Sequence, residues 1–404
     1  MKNPFKTKPL KHKYHVKNIF LLTFLKTVDF VSWIYFKIFK NKKKFDQNLL
    51  KNPKKILLSN IAHLGDVVIS TSVLSLLKKK YPNVKIGFIC SSSSKQILEN
   101  NPNIDQIYIV DHWYLNRSKI SFLKKLISYY KTRKIAQEQI KKDNYDIAID
   151  LYYFFPNSIY LINSTSIPIR IGYSSGGFKN FLTHTKPWVE QNKHVSFYLL
   201  DLLKTLSISI SSYPIVKFEL PSCKKENESE PKLPDIIKNL PDDFFLFHIG
   251  AGSDEKMWTL SKWRELTQKI DKDKKMKIIF TGKGTRESNL INEITQNQSN
   301  LYNFSDKLDL SSLIEVIKKA KLVVCVDSVV LHLATALNVP TIVLCSNTNN
   351  HHHWVMKREN IIPITKNLSP NLNYKKNIFK TFSSLNKIEI KDVINQMDNL
   401  IWKN

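Results

Sequence analysis

Arginine is scarce in this 404-residue chain: of 62 basic residues only six are Arg, leaving 56 Lys. Nucleic-acid readers depend on Arg for bidentate contacts to bases. No basic-aromatic nucleic-acid module is visible either, so nucleic acid is set aside as a partner despite a formal charge of +28. Lys, Asn and Ile are abundant together throughout, a bias that discounts the charge further. Cysteine is also sparse. The four, Cys90, Cys223, Cys325 and Cys345, lack metal-ligand spacing. Three lie in or beside apolar strand patterns and read as small core residues of a reducing cytoplasm. No uninterrupted membrane span is expected, because Lys26, Asp29 and Lys37 break the apolar stretch 18–39. No small-residue cleavage site follows it, which argues against a removable signal peptide. No internal repeat is apparent.

What is present divides into unequal parts. The first fifty residues hold twelve Lys against two Asp and contain the Phe-, Leu-, Ile- and Trp-rich stretch. This pattern predicts an amphipathic helix on the inner membrane face, lysines toward headgroups and aromatics toward lipid. A helix packed on the protein's own surface has the same amphipathicity. Beyond residue 50, apolar strand patterns alternate with helical ones, which implies parallel sheets covered by helices. The expected division is an extension over 1–50, a first α/β domain over 51–215, a linker over 216–243 and a second α/β domain over 244–384. A terminal helix over 385–404 would cross back onto the first domain.

Chemistry concentrates in the second half. An apolar run, Phe244 to Phe247, stops at a loop containing Gly250, Gly252 and Ser253; Lys256 follows, and a helical pattern begins near Trp263. A strand, a glycine-bearing turn and a helix start can cradle a phosphate: glycine admits close approach, and free N–H groups favour negative charge. Lys256 adds a mobile cation where a diphosphate would sit. Further on, the apolar run Leu322 to Val326 ends in Asp327-Ser328, with His332 on the following helix. Parallel sheets bind ligands outside the carboxyl ends of their strands. Asp and Ser at such a place also serve as helix caps.

Three blocks together resemble the heptosyltransferases of glycosyltransferase family 9: Ile56 to Cys90 with its Leu64-Gly65-Asp66 turn, Lys256-Met257-Trp258 with Trp263 following, and Asp327-Ser328-x-x-x-His332 followed by Ala336-Leu337-x-x-Pro340. The resemblance covers roughly residues 54 to 360. It implies a GT-B fold, α/β with two Rossmann-like domains facing a central cleft, here carrying an extra N-terminal amphipathic helical segment. It also implies an inverting transferase, and the basic amphipathic segment would hold it peripheral to the inner membrane on the cytoplasmic side. A sugar, heptose from ADP-heptose, would move onto a lipopolysaccharide core or related lipid-linked oligosaccharide.

In this reading Asp66 is the general base and Lys256 stabilises the leaving diphosphate. Gly250, Gly252, Ser253, Glu287, Asp327, Ser328 and His332 bind the donor, and Glu287 meets the nucleoside. No cofactor and no metal are expected, since a lysine and a helix dipole can replace the ion. The histidine run 351–353 reads as loop, and Asp271-Lys272-Asp273 as a solvated turn. Lys283 and Arg286 are alternative phosphate contacts. Lys95, Arg117, Lys119, Arg170, Lys179 and the loop 173–177 are candidates for the acceptor side. The chain departs from the family pattern at Val329, where glycine is usual, and at Ser59-Asn60, where a basic residue is usual. The alternatives are a non-catalytic nucleotide-sugar or glycolipid binder and a GT-B-like nucleotide-sugar epimerase.

Overall fold

Strands buried on both faces carry unbroken apolar runs, and these runs build two sheets. The computed structural model describes residues 14, 16, 18–39, 47–155, 158–208, 217–221, 235–253, 256–274, 276–346, 350–366 and 384–402. The chain forms two compact units, one of Met1–Gln191 with Ser196–Ser222, the other of Asn192–Val195 with Cys223–Asn404. The expected linker, 216–243, lies partly outside the described residues.

The first unit contains β1 (Lys55–Ser59), β2 (Lys85–Cys90), β3 (Gln106–Ile109), β4 (Ile147–Asp150), β5 (Ile169–Tyr173) and β6 (His184–Lys186). They pair in the order β3-β2-β1-β4-β5-β6, all parallel. The second contains β7 (Phe244–His248), β8 (Lys277–Thr281), β9 (Leu301–Asn303), β10 (Leu322–Val326), β11 (Thr341–Cys345) and β12 (Ile361–Thr365). Their order is β12-β11-β10-β7-β8-β9, again parallel. Both are the doubly wound order, in which the strand sequence reverses beside the first strand. The reversal lies between β1 and β4 in one unit and between β7 and β10 in the other. Loops leaving those strands diverge there and leave a crevice at the carboxyl edge.

Helices cover the sheets by burying one face each. Phe247, Phe280, Val324 and Leu344 meet Trp263 and Leu266 from the helix Leu260–Lys274 in one continuous core. Each such fully buried side chain contributes ~1.5–3 kcal/mol. The helix Ile390–Met397 adds Val393 and Met397 to that same core. This corrects the expectation that the terminal helix crosses back onto the first domain: its apolar stripe is used within the second unit.

The N-terminal helix, Ile19–Phe39, packs on the first unit. Leu22, Leu25, Asp29 and Ser32 form its buried stripe. The Asn180 side-chain amide donates to the Asp29 carbonyl at 2.6 Å and to the Ser32 hydroxyl at 2.8 Å. The Tyr14 hydroxyl donates to the Asp29 carboxylate at 2.7 Å. Gly177 adopts φ +80°, and a Cβ there would come within 2.8 Å of Leu25, so glycine at this position seats the helix. By length and composition the segment Ile19–Ile38 is also apolar enough to cross a membrane.

Candidate active site

At the carboxyl edge of the second sheet, Lys256 donates to the Asp327 carboxylate at 2.5 Å. The lysine follows β7 and the aspartate follows β10, so the pair bridges the point where the strand order reverses. Both side chains are mostly sheltered, 25% and 14% exposed. Ser328 stands at the N-cap of the helix Val329–Leu337 with extended backbone, yet its hydroxyl makes no cap bond. That oxygen is buried and finds no partner among the described residues. A buried hydroxyl without a partner is costly; beside a lysine and a helix N-terminus it suits an anionic ligand.

Val329, where the family places glycine, is the first residue of that helix. It is not among the residues with positive φ, so a β-branched side chain fits without backbone strain.

Gly250, after β7, and Glu287 meet closely in the same unit. A Cβ on Gly250 would lie 1.9 Å from the Glu287 carboxylate, and one on Gly282 would lie 2.9 Å from it. The two glycines make room for the acid, which accepts the Lys283 backbone N–H at 2.8 Å. Burial raises the Glu287 pKa. Gly252 and Ser253 form the exposed turn before Lys256, whose N–H donates to the Ser253 carbonyl at 3.1 Å.

His332 is 5% exposed and lies near Trp354. Burial pushes its pKa down to about 4. It is therefore a neutral imidazole at neutral pH, able to hydrogen-bond but not to add positive charge to a donor site. His248 at the end of β7 is likewise neutral, held down to about 4 by burial. Its Nδ1 lies 3.0 Å from the Thr281 hydroxyl.

The first unit has its own constellation at the carboxyl edge. The helix Leu64–Ser70 starts just after β1, with Asp66 at its third position. The carboxylate accepts the His63 N–H at 3.2 Å, closing a capping box with the His63 side chain. Asp66 thus makes the capping contact its position suggests while remaining half-exposed. Burial, then the Asp66 charge, pushes the Tyr152 and Tyr153 phenols upward. Both tyrosines leave the end of β4, so an acid and an aromatic run share the reversal point between β1 and β4. Tyr153 stacks on Trp188 at 3.8 Å, and Trp188 on Tyr198 at 3.9 Å.

In place of the family's basic residue, Ser59 and Asn60 carry out internal bonding. The Asn60 amide donates to Ser70 at 2.7 Å and pins the loop after β1 to its helix. The Ser59 and Ser158 hydroxyls both reach Asp150, at 3.3 and 2.8 Å. Asp150 is buried, and its pKa is pushed up to about 7, burial outweighing those hydrogen bonds. Sequence reasoning missed Asp150 and the two tyrosines; the signal was an acid and two aromatics ending an apolar strand.

Several expectations are corrected. The loop 173–177 is internal rather than an acceptor surface: Ser175 is 1% exposed, and Gly177 seats the N-terminal helix. Arg170 donates to the Phe181 and Ile167 carbonyls and is used up inside the fold. Lys95 is not among these: it pairs with Glu99 at 2.7 Å and stays about half exposed. His351–Trp354 is a helical turn rather than loop. Asp271-Lys272-Asp273 lies in the last turn of the helix Leu260–Lys274, not in a turn beyond it. Among the described residues, no group of three or more His, Cys, Asp or Glu is arranged to hold a metal ion.

The family described as "Glycosyltransferase family 9 (heptosyltransferase)" matches residues 133–384. That match begins after the block containing Asp66. Lipopolysaccharide heptosyltransferase 1 of Campylobacter coli is 23% identical over 369 residues, covering 86% of this chain and 98% of that protein. The crystal structure of a family 9 glycosyl transferase from Veillonella parvula shares the fold with a TM-score of 0.68 at 21% identity, over 87% of this chain and 98% of that one. The E. coli ADP-heptose lps heptosyltransferase II does so with a TM-score of 0.65 at 18% identity, over 86% and 98%. The chain therefore belongs to glycosyltransferase family 9, as a lipopolysaccharide heptosyltransferase-like glycosyltransferase of GT-B fold.

Proposed function

We propose that the protein transfers heptose from ADP-heptose, with inversion at the anomeric carbon, onto a lipopolysaccharide core or related lipid-linked oligosaccharide. The observation that carries this reading is the Lys256–Asp327 pair beside the buried Ser328 hydroxyl at a helix N-terminus. A departing nucleoside diphosphate needs concentrated positive charge at the moment its bond to the sugar breaks. Lys256, held in place by Asp327, supplies it together with the backbone around Gly252 and Ser253. Glu287, nested against Gly250, accepts the ribose hydroxyls of the donor. Asp66 takes the proton of the attacking acceptor hydroxyl, a contribution of ~10²–10⁴-fold for general bases. His332 supports the donor loop as a neutral hydrogen-bonding group.

The same reading has no metal step, because the lysine and the helix end carry the charge that an ion otherwise would. The E. coli heptosyltransferase WaaC has been solved with ADP-2-deoxy-2-fluoro heptose, which supports an ADP-sugar donor here.

We also place the enzyme on the cytoplasmic face of the inner membrane. Phe20, Phe24 and Phe30 of the N-terminal helix are 84%, 50% and 60% exposed, while the opposite stripe is seated on the first unit. Spanning the bilayer would strip Asp29 and Ser32 of their Asn180 contacts, so the helix lies along the surface.

The test is a donor panel. Purified protein is incubated with ADP-, GDP-, UDP- and CMP-sugars and extracted core glycolipid, with and without EDTA. Release of ADP that needs the glycolipid and survives EDTA is expected. Turnover of free nucleotide sugar without an acceptor, or loss of activity in EDTA, contradicts the proposal.

A further inference from the structure

The longest helix of the first unit, Phe122–Asp143, hides very little of itself. Only Ala136 and Ile140 are buried. Leu123, Ile127 and Tyr130 are 66%, 58% and 62% exposed. Their spacing of four and three residues sets them on one outward stripe. At the amino end the stripe continues into the preceding loop, where Trp113 packs edge-on against both Tyr114 and Phe122. Lysines 124, 131 and 134 flank it. From His112 to Gln137 the chain has seven basic residues and no acidic one.

A chain of contacts links this stripe to the N-terminal helix. The Arg133 guanidinium sits 4.7 Å above the Tyr160 ring, Tyr160 meets Phe181 at 6.1 Å, and Phe181 meets Phe36 at 5.5 Å. The two helices, far apart in sequence, are thus linked through ring contacts on the first unit, and each exposes apolar side chains with lysines among them. Large apolar side chains exposed side by side on one helix face mark an interaction site.

We propose that the amino-terminal half of the Phe122–Asp143 helix, with the Trp113–Tyr114 loop, is a second bilayer-contact element that lays this side of the first unit on anionic phospholipid. The inference rests on the membrane-surface reading above and extends it to a part of the chain outside the N-terminal segment. Charge selects the occupant. A second copy of the chain would bring two strongly cationic stripes together, which is repulsive. A bilayer with anionic headgroups accepts the lysines, and its acyl boundary accepts Leu123, Ile127 and Tyr130. Two contact elements fix the orientation of the domain on the membrane, which one helix free to roll does not.

The experiment is co-sedimentation of the full chain with vesicles of phosphatidylethanolamine and phosphatidylglycerol, against phosphatidylcholine alone. Three variants are compared: Leu123→Ser/Ile127→Ser/Tyr130→Ser, Lys124→Gln/Lys131→Gln/Lys134→Gln, and Phe20→Ser/Phe24→Ser/Phe30→Ser. All replace exposed side chains, and the lysine variant removes no apolar packing. The wild type is expected to bind the anionic vesicles, and each variant to bind them about tenfold more weakly.

Wild-type binding by both variants of the 122–143 helix, with loss confined to the N-terminal variant, overturns this inference and leaves the N-terminal reading standing. A wild type that binds neither vesicle overturns both. A dimer in light scattering that the Leu123 variant breaks identifies a second copy as the occupant and also overturns it.

Discussion

Lys256 and Asp327, 71 residues apart in sequence, are joined by a 2.5 Å contact across the reversal point of the second sheet. The aspartate, next to the N-cap residue Ser328 of the helix Val329–Leu337, holds the lysine ammonium in place. Preorganised charge of this kind does not have to reorient as the diphosphate departs.

Lys256→Ala is expected to lower kcat by roughly 10²–10³-fold while KM for the acceptor stays unchanged, as for loss of one oxyanion-stabilising group. The variant leaves a sheltered carboxylate unpaired, so Lys256→Ala/Asp327→Asn is the control for folding. If the double variant is well folded and turns over at the wild-type rate, the lysine has no part in the chemistry.

Asp66 caps its helix, and in the proposed reaction it is also the base; one substitution separates the two roles. Asp66→Asn keeps an oxygen to accept the His63 N–H but removes the base. Its melting temperature should match the wild type, whereas kcat should fall ~10²–10⁴-fold. Asp66→Ala should lose the same activity and in addition ~0.5–2 kcal/mol of stability, the ordinary value of a helix cap. Activity retained in the Asn variant would leave Asp66 as a cap alone.

The nest of Glu287 against Gly250 predicts a donor-specific defect. A methyl on Gly250 would overlap the carboxylate at 1.9 Å, so Gly250→Ala must displace the acid or the loop, at ~1–3 kcal/mol in stability. Steady-state kinetics should show a raised donor KM in both Gly250→Ala and Glu287→Ala. An unchanged donor KM in Glu287→Ala removes the ribose assignment.

Asp150 makes stability depend on pH. Its folded pKa of about 7 lies above the unfolded value of ~3.9, so between these limits the native state keeps a proton that the unfolded state has lost. Stability therefore falls as pH rises through this window, by on the order of 2–4 kcal/mol, and the penalty is constant above it. Asp150→Asn should flatten the slope: its melting temperature relative to wild type should climb from pH 5 to pH 8 (roughly the limits of the window). A difference that does not vary with pH contradicts the buried-acid explanation.

Central strands were readable from sequence, and edge strands mostly were not. β1, β4, β7 and β10 are apolar runs because neighbours and helices cover them on every side. β6, β9 and β12 each lie at a sheet edge, where one side is open and polar residues such as Thr185 and Asn303 are tolerated. The site was legible as separate stretches: a glycine-bearing turn, a lysine, an Asp-Ser pair. Their joining was not, because the Lys256–Asp327 contact and the nest of Glu287, in the first turn of the helix Thr285–Thr295, are made by segments brought together only when the sheet forms. The acceptor side was misread at Arg170 and 173–177 for a related reason. A basic side chain or a Ser-Gly loop looks solvated in sequence, whereas here both are spent on internal carbonyls and on seating the N-terminal helix.

The most direct test is calorimetric titration of wild type and Lys256→Ala with the nucleoside diphosphate that the donor panel identifies, and with the matching nucleoside. The diphosphate should bind the variant at least about tenfold more weakly, as expected for loss of a charge-assisted contact, while the nucleoside binds both equally. Equal affinity of the two proteins for the diphosphate would contradict a pocket in which Lys256 holds the leaving group.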